Sequence, residues 1–195
     1  MTPPRPIAVL LDLDGTLVDT VPFILQSVRH AFEGRPRCPS EAEWIAGIGQ
    51  PLRVQLAPYT DGLEDLEAVV ARYRAYQRER HDQMTRAFPG AVEAVRALAA
   101  AGHPVAIVTG KLADTAARAL ALVGLQPHVQ ALVAADSCPR HKPDPEPVLL
   151  ALSQVDRSAG EAVFVGDSPL DVAAGNAAGV ATVAALWGAA SREAL

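Results

Sequence analysis

Two aspartates separated by a single leucine, Asp12 and Asp14, end the apolar run Val9-Leu10-Leu11 and are followed at once by Gly15 and Thr16. Two carboxylates at that spacing can divide nucleophilic and proton-transfer work, or help to hold a divalent cation, if one cavity receives both. Three more polar clusters follow: Thr109-Gly110-Lys111, then Lys142, then Asp167 with Asp171. Acids from two of these places can hold magnesium, which prefers carboxylate and water oxygens and often engages substrate phosphate as well. A hydroxyl and a lysine can clamp the remaining phosphoryl oxygens. The set suits phosphoryl transfer, where catalysis is mostly positioning and charge neutralisation.

Lysine usage points the same way. Of the 17 Lys and Arg residues, only Lys111 and Lys142 are lysine. A compact ammonium acts on phosphate as a point charge, whereas the arginine fork suits planar recognition.

These residues need a scaffold that brings them to one edge. Ile7 to Leu11 are apolar and largely branched, as expected for a strand covered on both faces, and Gly15 permits a sharp exit. From residue 20 to 88 no strand pattern occurs. Val21, Ile24, Leu25, Val28 and Phe32 recur at helical spacing, Ser40 to Glu43 form a capping box, and a short helix follows Pro51. A long helix begins near Leu63, with Leu63, Leu66, Val69, Val70, Tyr73 and Tyr76 expected on its buried face. From Pro89 onward helices and short apolar strands alternate, the strands ending near Thr109, Asp136 and Asp167. Repeated βα units imply an α/β, Rossmann-like parallel sheet with helices on both faces. The expected organisation is a core of residues 1–19 and 89–195 with a small α-helical cap, residues 20–88, inserted after the first strand. Ligands in such sheets bind beyond the carboxyl ends of the strands, where all four polar clusters fall.

Half of the 195 residues are hydrophobic and the net charge is -5, a soluble globular composition with no basic footprint for nucleic acid or an anionic membrane. The expectation is no nucleic acid and no membrane partner, a monomer or homodimer, and, with no signal-peptide core before the first strand, a cytoplasmic location. Cys38 and Cys138 lack metal-ligand spacing, and the five histidines read as surface or packing residues.

Asp12-Leu13-Asp14-Gly15-Thr16, Val108-Thr109-Gly110-Lys111, Lys142-Pro143-Asp144-Pro145 and Gly166-Asp167-Ser168-Pro169-Leu170-Asp171 resemble, in order, the four motifs of the haloacid dehalogenase superfamily. Within it the chain is similar to phosphoglycolate phosphatases and related small-phosphate hydrolases, whose helical cap lies between the first and second motifs. The resemblance implies a magnesium-dependent phosphatase acting on a small phosphorylated metabolite such as 2-phosphoglycolate. Asp12 would be the nucleophile and Asp14 the proton donor and acceptor. Thr109 and the Gly110 amide would bind the phosphoryl group with Lys111 nearby, and Lys142 would neutralise nucleophile and phosphate. Magnesium would be held by Asp12, the Asp14 backbone carbonyl and Asp167, with Asp171 close by. Asp171 also stands at the third helical position after Ser168, where an acid serves the helix irrespective of metal. Gly49, Gln50 and Arg53 lie in a glycine-bearing loop like the cap loops that face the active site in this superfamily, and would read the leaving group. Gly110 departs from the asparagine often found at that position.

Inorganic pyrophosphatase and hexose phosphomutase are the alternative chemistries. Dehalogenation has no use for Asp14, and Schiff-base phosphonate hydrolysis needs a cap lysine that residues 20–88 lack. A non-catalytic binding protein would have no need to keep both Asp12 and Asp14.

Overall fold

In the computed structural model, which describes residues 6–195, Ala8–Leu11 form strand β1 and every side chain in it is buried. A strand with no polar face belongs inside a sheet, and β1 pairs in parallel on both sides, with β2 (Val105–Val108) and with β4 (Ala162–Gly166). β3 (Ala131–Val133) lies beyond β2 and β5 (Ala181–Ala184) beyond β4, so the sheet runs β3-β2-β1-β4-β5. The winding reverses between β1 and β4, the switch point at which such sheets open a crevice. Residues 1–5, which include the proline-rich lead-in to the first strand, lie outside the described residues.

After β1 the chain forms α1 (Val21–Ala31), α2 (Glu41–Ala46), α3 (Leu52–Leu56) and α4 (Leu63–Met84) before any further strand. The capping box that opens α2 is complete: the Glu43 amide donates to Ser40 Oγ at 3.2 Å, and the Ser40 amide donates to the Glu43 carboxylate at 2.8 Å. Ile24, Val28, Phe32, Trp44, Leu56 and Val69 share a hydrophobic cluster separate from those flanking the sheet. Leu63 corrects the expected pattern. It is exposed, because it lies in the first turn of α4, ahead of the stretch from Leu66 onward that packs against α1. At the other end the buried face continues in polar residues, Gln77 and His81. Gln77 Nε2 donates to Ser27 Oγ at 2.7 Å, and that hydroxyl donates to the Phe23 carbonyl at 2.7 Å, so these buried groups are satisfied.

The two chain crossings between this helical segment and the sheet run side by side. The Asp19 amide donates to the Arg86 carbonyl at 2.8 Å and the Phe88 amide to the Leu17 carbonyl at 3.0 Å. The chain then alternates: α5 (Ala91–Ala100) and α6 (Ala113–Leu122) cover the sheet face bearing Val9, Leu11, Val105 and Ile107. α7 (Glu146–Gln154) and α8 (Pro169–Ala177) cover the face bearing Leu10, Val108 and Phe164. Fully burying side chains such as Leu10, Ile107 or Phe164 stabilises the fold by about 1.5–3 kcal/mol each. No helix of the described residues is long and apolar enough to cross a membrane.

Candidate active site

Strand register brings the polar clusters together. Leu11 is level with Ile107 on β2 and with Val165 on β4, so Asp12, Thr109 and Asp167 all emerge just past the sheet's carboxyl edge. The Asp12 amide still donates to the Val165 carbonyl at 2.9 Å, and the Thr109 amide to the Val133 carbonyl at 2.9 Å. Leu13 packs with the α5–α6 face, whereas Leu10 packs with the α7–α8 face, and period-two alternation therefore turns Asp12 toward α8. Beyond Asp14 the amides of Leu17 and Val18 both donate to the Leu13 carbonyl at 3.0 Å, closing a turn through Gly15 at φ 79°. Glycine is required there twice over: the conformation is left-handed, and a β-carbon would stand 2.1 Å from Asp167 Oδ2.

Asp12, Asp167 and Asp171 are buried, and one ligand oxygen from each lies within 4.8 Å of the others. Lys142, also buried, sits among them with Nζ 3.2 Å from Asp12 Oδ1, 2.5 Å from Asp171 Oδ1 and 3.2 Å from the Val108 carbonyl. Burial opposes its charge, but Asp12 and Asp171 outweigh burial and hold the ammonium protonated, above the ordinary lysine range. Burial raises the Asp12 carboxyl well above its usual value; Lys142 opposes this, and Asp171, Asp167 and Asp14 reinforce it. Asp167 is pushed up to about 6, chiefly by burial, against the lowering effect of the Ala189 amide. Three acids thus share one cation. Asp12 Oδ1 also has no hydrogen-bond partner, its contact with Lys142 being an ion pair without hydrogen-bond alignment. A carboxylate oxygen with no hydrogen bond amid excess buried negative charge is the environment a divalent cation fits.

The oxygens of Asp167 and Asp171 are already engaged. Asp167 accepts from Thr16 Oγ1 at 3.0 Å and from the Ala189 amide at 2.7 Å, and Trp187 Nε1 donates to the Thr16 carbonyl at 3.0 Å. Asp171 Oδ2 accepts from the Ser168 amide at 3.0 Å and its hydroxyl at 2.6 Å, completing the capping box of α8 while Oδ1 holds Lys142. The helix-cap use of Asp171 expected from the sequence is present, and its other oxygen holds Lys142.

Asp14 stands apart from this trio. Its Oδ1 accepts from the Thr20 hydroxyl and lies 3.0 Å from Lys111 Nζ, so Lys111 faces Asp14. Asp12, Asp14, Thr109, Gly110 and Lys111 border one cavity of about 620 Å³. Its opposite side is made by α4, by the loop carrying Gly49 and Gln50, and by α3, which begins early enough to take Arg53 out of that loop and onto a helix. Gly49 lies directly over Gly110, where a β-carbon would be 2.7 Å from the Gly49 carbonyl oxygen. Arg53 is bound to Glu67 of α4 through two contacts of 2.7 and 2.8 Å, which orient its guanidinium within the cavity wall.

Tyr73, which the sequence assigns to packing, and His81, which it assigns to surface or packing, both line the cavity. Burial, followed by the charge of Asp14, raises the Tyr73 phenol above its ordinary range. Leu66, Val70, Tyr73, Gln77 and His81 follow a three-and-four spacing. That continuous stripe is the signal that α4's inward face extends through polar residues.

Residues 9–185 match the family described as haloacid dehalogenase-like hydrolase. The pyrophosphatase PpaX of Bacillus velezensis is 36% identical over 190 residues, covering 96% of this chain and 86% of its own. A plasmid-encoded phosphoglycolate phosphatase of Cupriavidus necator is 38% identical over 183 residues, covering 89% of this chain and 78% of its own. Among solved structures, a predicted phosphoglycolate phosphatase from Haemophilus somnus superposes with a TM-score of 0.86 at 25% identity, covering 96% of this chain and 88% of that one.

Proposed function

The chain belongs to the haloacid dehalogenase-like hydrolases, and within them we propose that it is a magnesium-dependent phosphatase that hydrolyses a small phosphomonoester, 2-phosphoglycolate being the first candidate, through an aspartyl-phosphate. The observation that carries this reading is Asp12 Oδ1: buried at the cavity floor, without a hydrogen bond, and 3.2 Å from the Lys142 ammonium.

Asp12 attacks phosphorus, forming an acyl-phosphate bond as the bond from phosphorus to the leaving oxygen breaks. Asp14, oriented by Thr20 and Lys111, gives its proton to that oxygen. In the second half Asp14 takes a proton from water, the water attacks phosphorus, and free phosphate and the Asp12 carboxylate result. The Thr109 hydroxyl and the Gly110 amide donate to phosphoryl oxygens, and Lys142, held by Asp171, neutralises nucleophile and phosphoryl charge. Asp12, the Asp14 carbonyl and Asp167, with Asp171 beside them, would hold magnesium, which supplies charge neutralisation at the phosphoryl oxygens when bound.

Residues 20–88 are the cap of this reading and residues 1–19 with 89–195 its core. The paired crossings at Asp19–Arg86 and Leu17–Phe88 are the hinge, and the loop carrying Gly49 and Gln50, with Arg53 on α3 behind it, closes over the substrate and excludes water. Pyrophosphate is the second candidate, favoured by the 36% identity to a protein named as a pyrophosphatase. An initial-rate screen of phosphomonoesters and pyrophosphate, with and without magnesium, tests both. Failure to hydrolyse any phosphomonoester in the presence of magnesium rejects the phosphatase reading.

A further inference from the structure

The mechanism above leaves one buried, cavity-lining histidine unused. His81 is 2% exposed and borders the same cavity as Asp12 and Asp14. Its Nδ1 lies 2.8 Å from Asp82 Oδ1, and the same oxygen lies 2.9 Å from Arg118 Nε on α6. Arg118, and then His81, hold the Asp82 carboxyl below its usual range. An ionised Asp82 can only accept, so Nδ1 carries the proton. The opposite nitrogen, Nε2, is buried and has no hydrogen-bond partner.

Leaving such a nitrogen unpaired costs about 1–3 kcal/mol, a cost that a bound ligand removes by pairing with it. The groups around it describe that ligand. Arg74 and Arg78 on α4 and Arg118 and Asp114 on α6 border the cavity that His81 lines, and the adjacent Asp82 pairs with Arg118. The acids assigned to the chemistry, Asp12 and Asp14, come instead from the end of β1. The cavity therefore joins an acidic floor, suited to one phosphoryl group and a metal, to a wall rich in cations.

We propose that His81 Nε2 contacts the leaving group of the substrate and selects phosphomonoesters whose leaving group carries a second oxyanion. Asp82 and Arg118 act as positioning residues. The proposal rests on the phosphatase reading. An oxyanion can be met only by Nε2–H, so the ring takes up one proton from solvent as the anion binds. Because Asp82 is on the cap helix and Arg118 on the core helix, the same contact ties recognition of the leaving group to the seam between them.

The test uses the side-chain nitrogen resonances of the full-length wild-type protein without added magnesium, titrated with 2-phosphoglycolate and, separately, with phenyl phosphate. His81 Nε2 moves to the protonated range with 2-phosphoglycolate and stays in place with phenyl phosphate; no movement with 2-phosphoglycolate, or the same movement with both, overturns the proposal. In the kinetic arm, His81→Leu raises KM for 2-phosphoglycolate and pyrophosphate by about tenfold, the scale of one lost charged hydrogen bond, and raises it less for phenyl phosphate. His81→Gln, whose amide can donate, recovers part of the loss, and Asp82→Asn raises KM more than it lowers kcat. Equal rises on all three compounds also overturn the proposal. If the wild type turns over none of them, the phosphatase reading falls and the resonance experiment alone decides His81.

Discussion

The carbonyl oxygen of Gly49 stands 2.7 Å from the point at which a β-carbon on Gly110 would be, so the loop between α2 and α3 can seat on the turn after β2 only because residue 110 has no side chain. Contact at that distance is with backbone, which cannot swing aside as the end of a flexible side chain does. Gly49 is itself at φ 103° and lies 3.5 Å by the same measure from Leu170 Cδ1 and Ser168 Oγ, so the loop also touches the start of α8. Gly110→Ala is expected to hold the cap ajar, lowering kcat/KM for small phosphomonoesters by about tenfold or more while Tm changes little. Steady-state kinetics beside a thermal melt check this, and an unchanged kcat/KM refutes it.

Asp12→Asn should abolish turnover, to below about a thousandth of the wild-type rate, while leaving the fold intact, because an amide oxygen is a poor acceptor for a phosphoryl group. The check pairs circular dichroism with a phosphate-release assay on a preparation free of contaminating phosphatase. Substantial residual release would remove Asp12 from the nucleophile role.

Magnesium should raise the melting temperature, since a cation that fits the trio Asp12, Asp167 and Asp171 relieves charge that Lys142 alone does not balance. At a hundred times the dissociation constant the gain is about 2.7 kcal/mol. Asp167→Asn should shrink that gain sharply. A melting temperature indifferent to magnesium in the wild type counts against the metal site whatever the activity assay shows.

The cap should carry its own pH dependence. The Asp65 carboxyl is held below its usual value first by its hydrogen bond from Arg35 and then by the Asp61 amide, which donates at 2.8 Å. A carboxyl lowered in the folded state contributes stability above its unfolded value of about 3.9, and that contribution is lost as pH falls through the lower folded value. Asp65→Asn should therefore be less stable than wild type at neutral pH, with the difference closing in acid as pH falls through the lowered folded value. Urea denaturation at several pH values measures it; a difference that persists in acid would assign the effect to packing.

The sheet and the acids at its edge were legible because their signals are local. An apolar strand ending in Asp12-Leu13-Asp14, and helices closed by Gly102 and Gly179, need only a few neighbours to be read. The capping boxes at Ser40 and Ser168 are formed as their spacing predicts. What escaped depends on partners far apart in the chain. Lys111 is turned to Asp14, Arg53 to Glu67, and His81 is buried although its own neighbours are charged. Leu63 errs the other way: helical periodicity assigns a face to every turn but cannot say where along the helix the neighbouring element begins. The fit of Gly110 beneath Gly49 was beyond reach for the same reason, since a missing side chain has meaning only once its neighbour is known.

The central position of β1 has a consequence for the life of the chain before it is complete. Asp12 emerges early in synthesis, yet its strand is flanked by one beginning at Val105 and another beginning at Ala162, and Thr16 reaches its hydrogen-bond partner Asp167 across 151 residues. Contacts of such separation form late, because a long loop must close before any of them is rewarded. On the proposed mechanism, a nascent chain thus carries Asp12 and Asp14 without the buried lysine and partner carboxylates that would arm them. By the same mechanism, reaction with phosphate esters waits until the chain through Asp171 has left the ribosome.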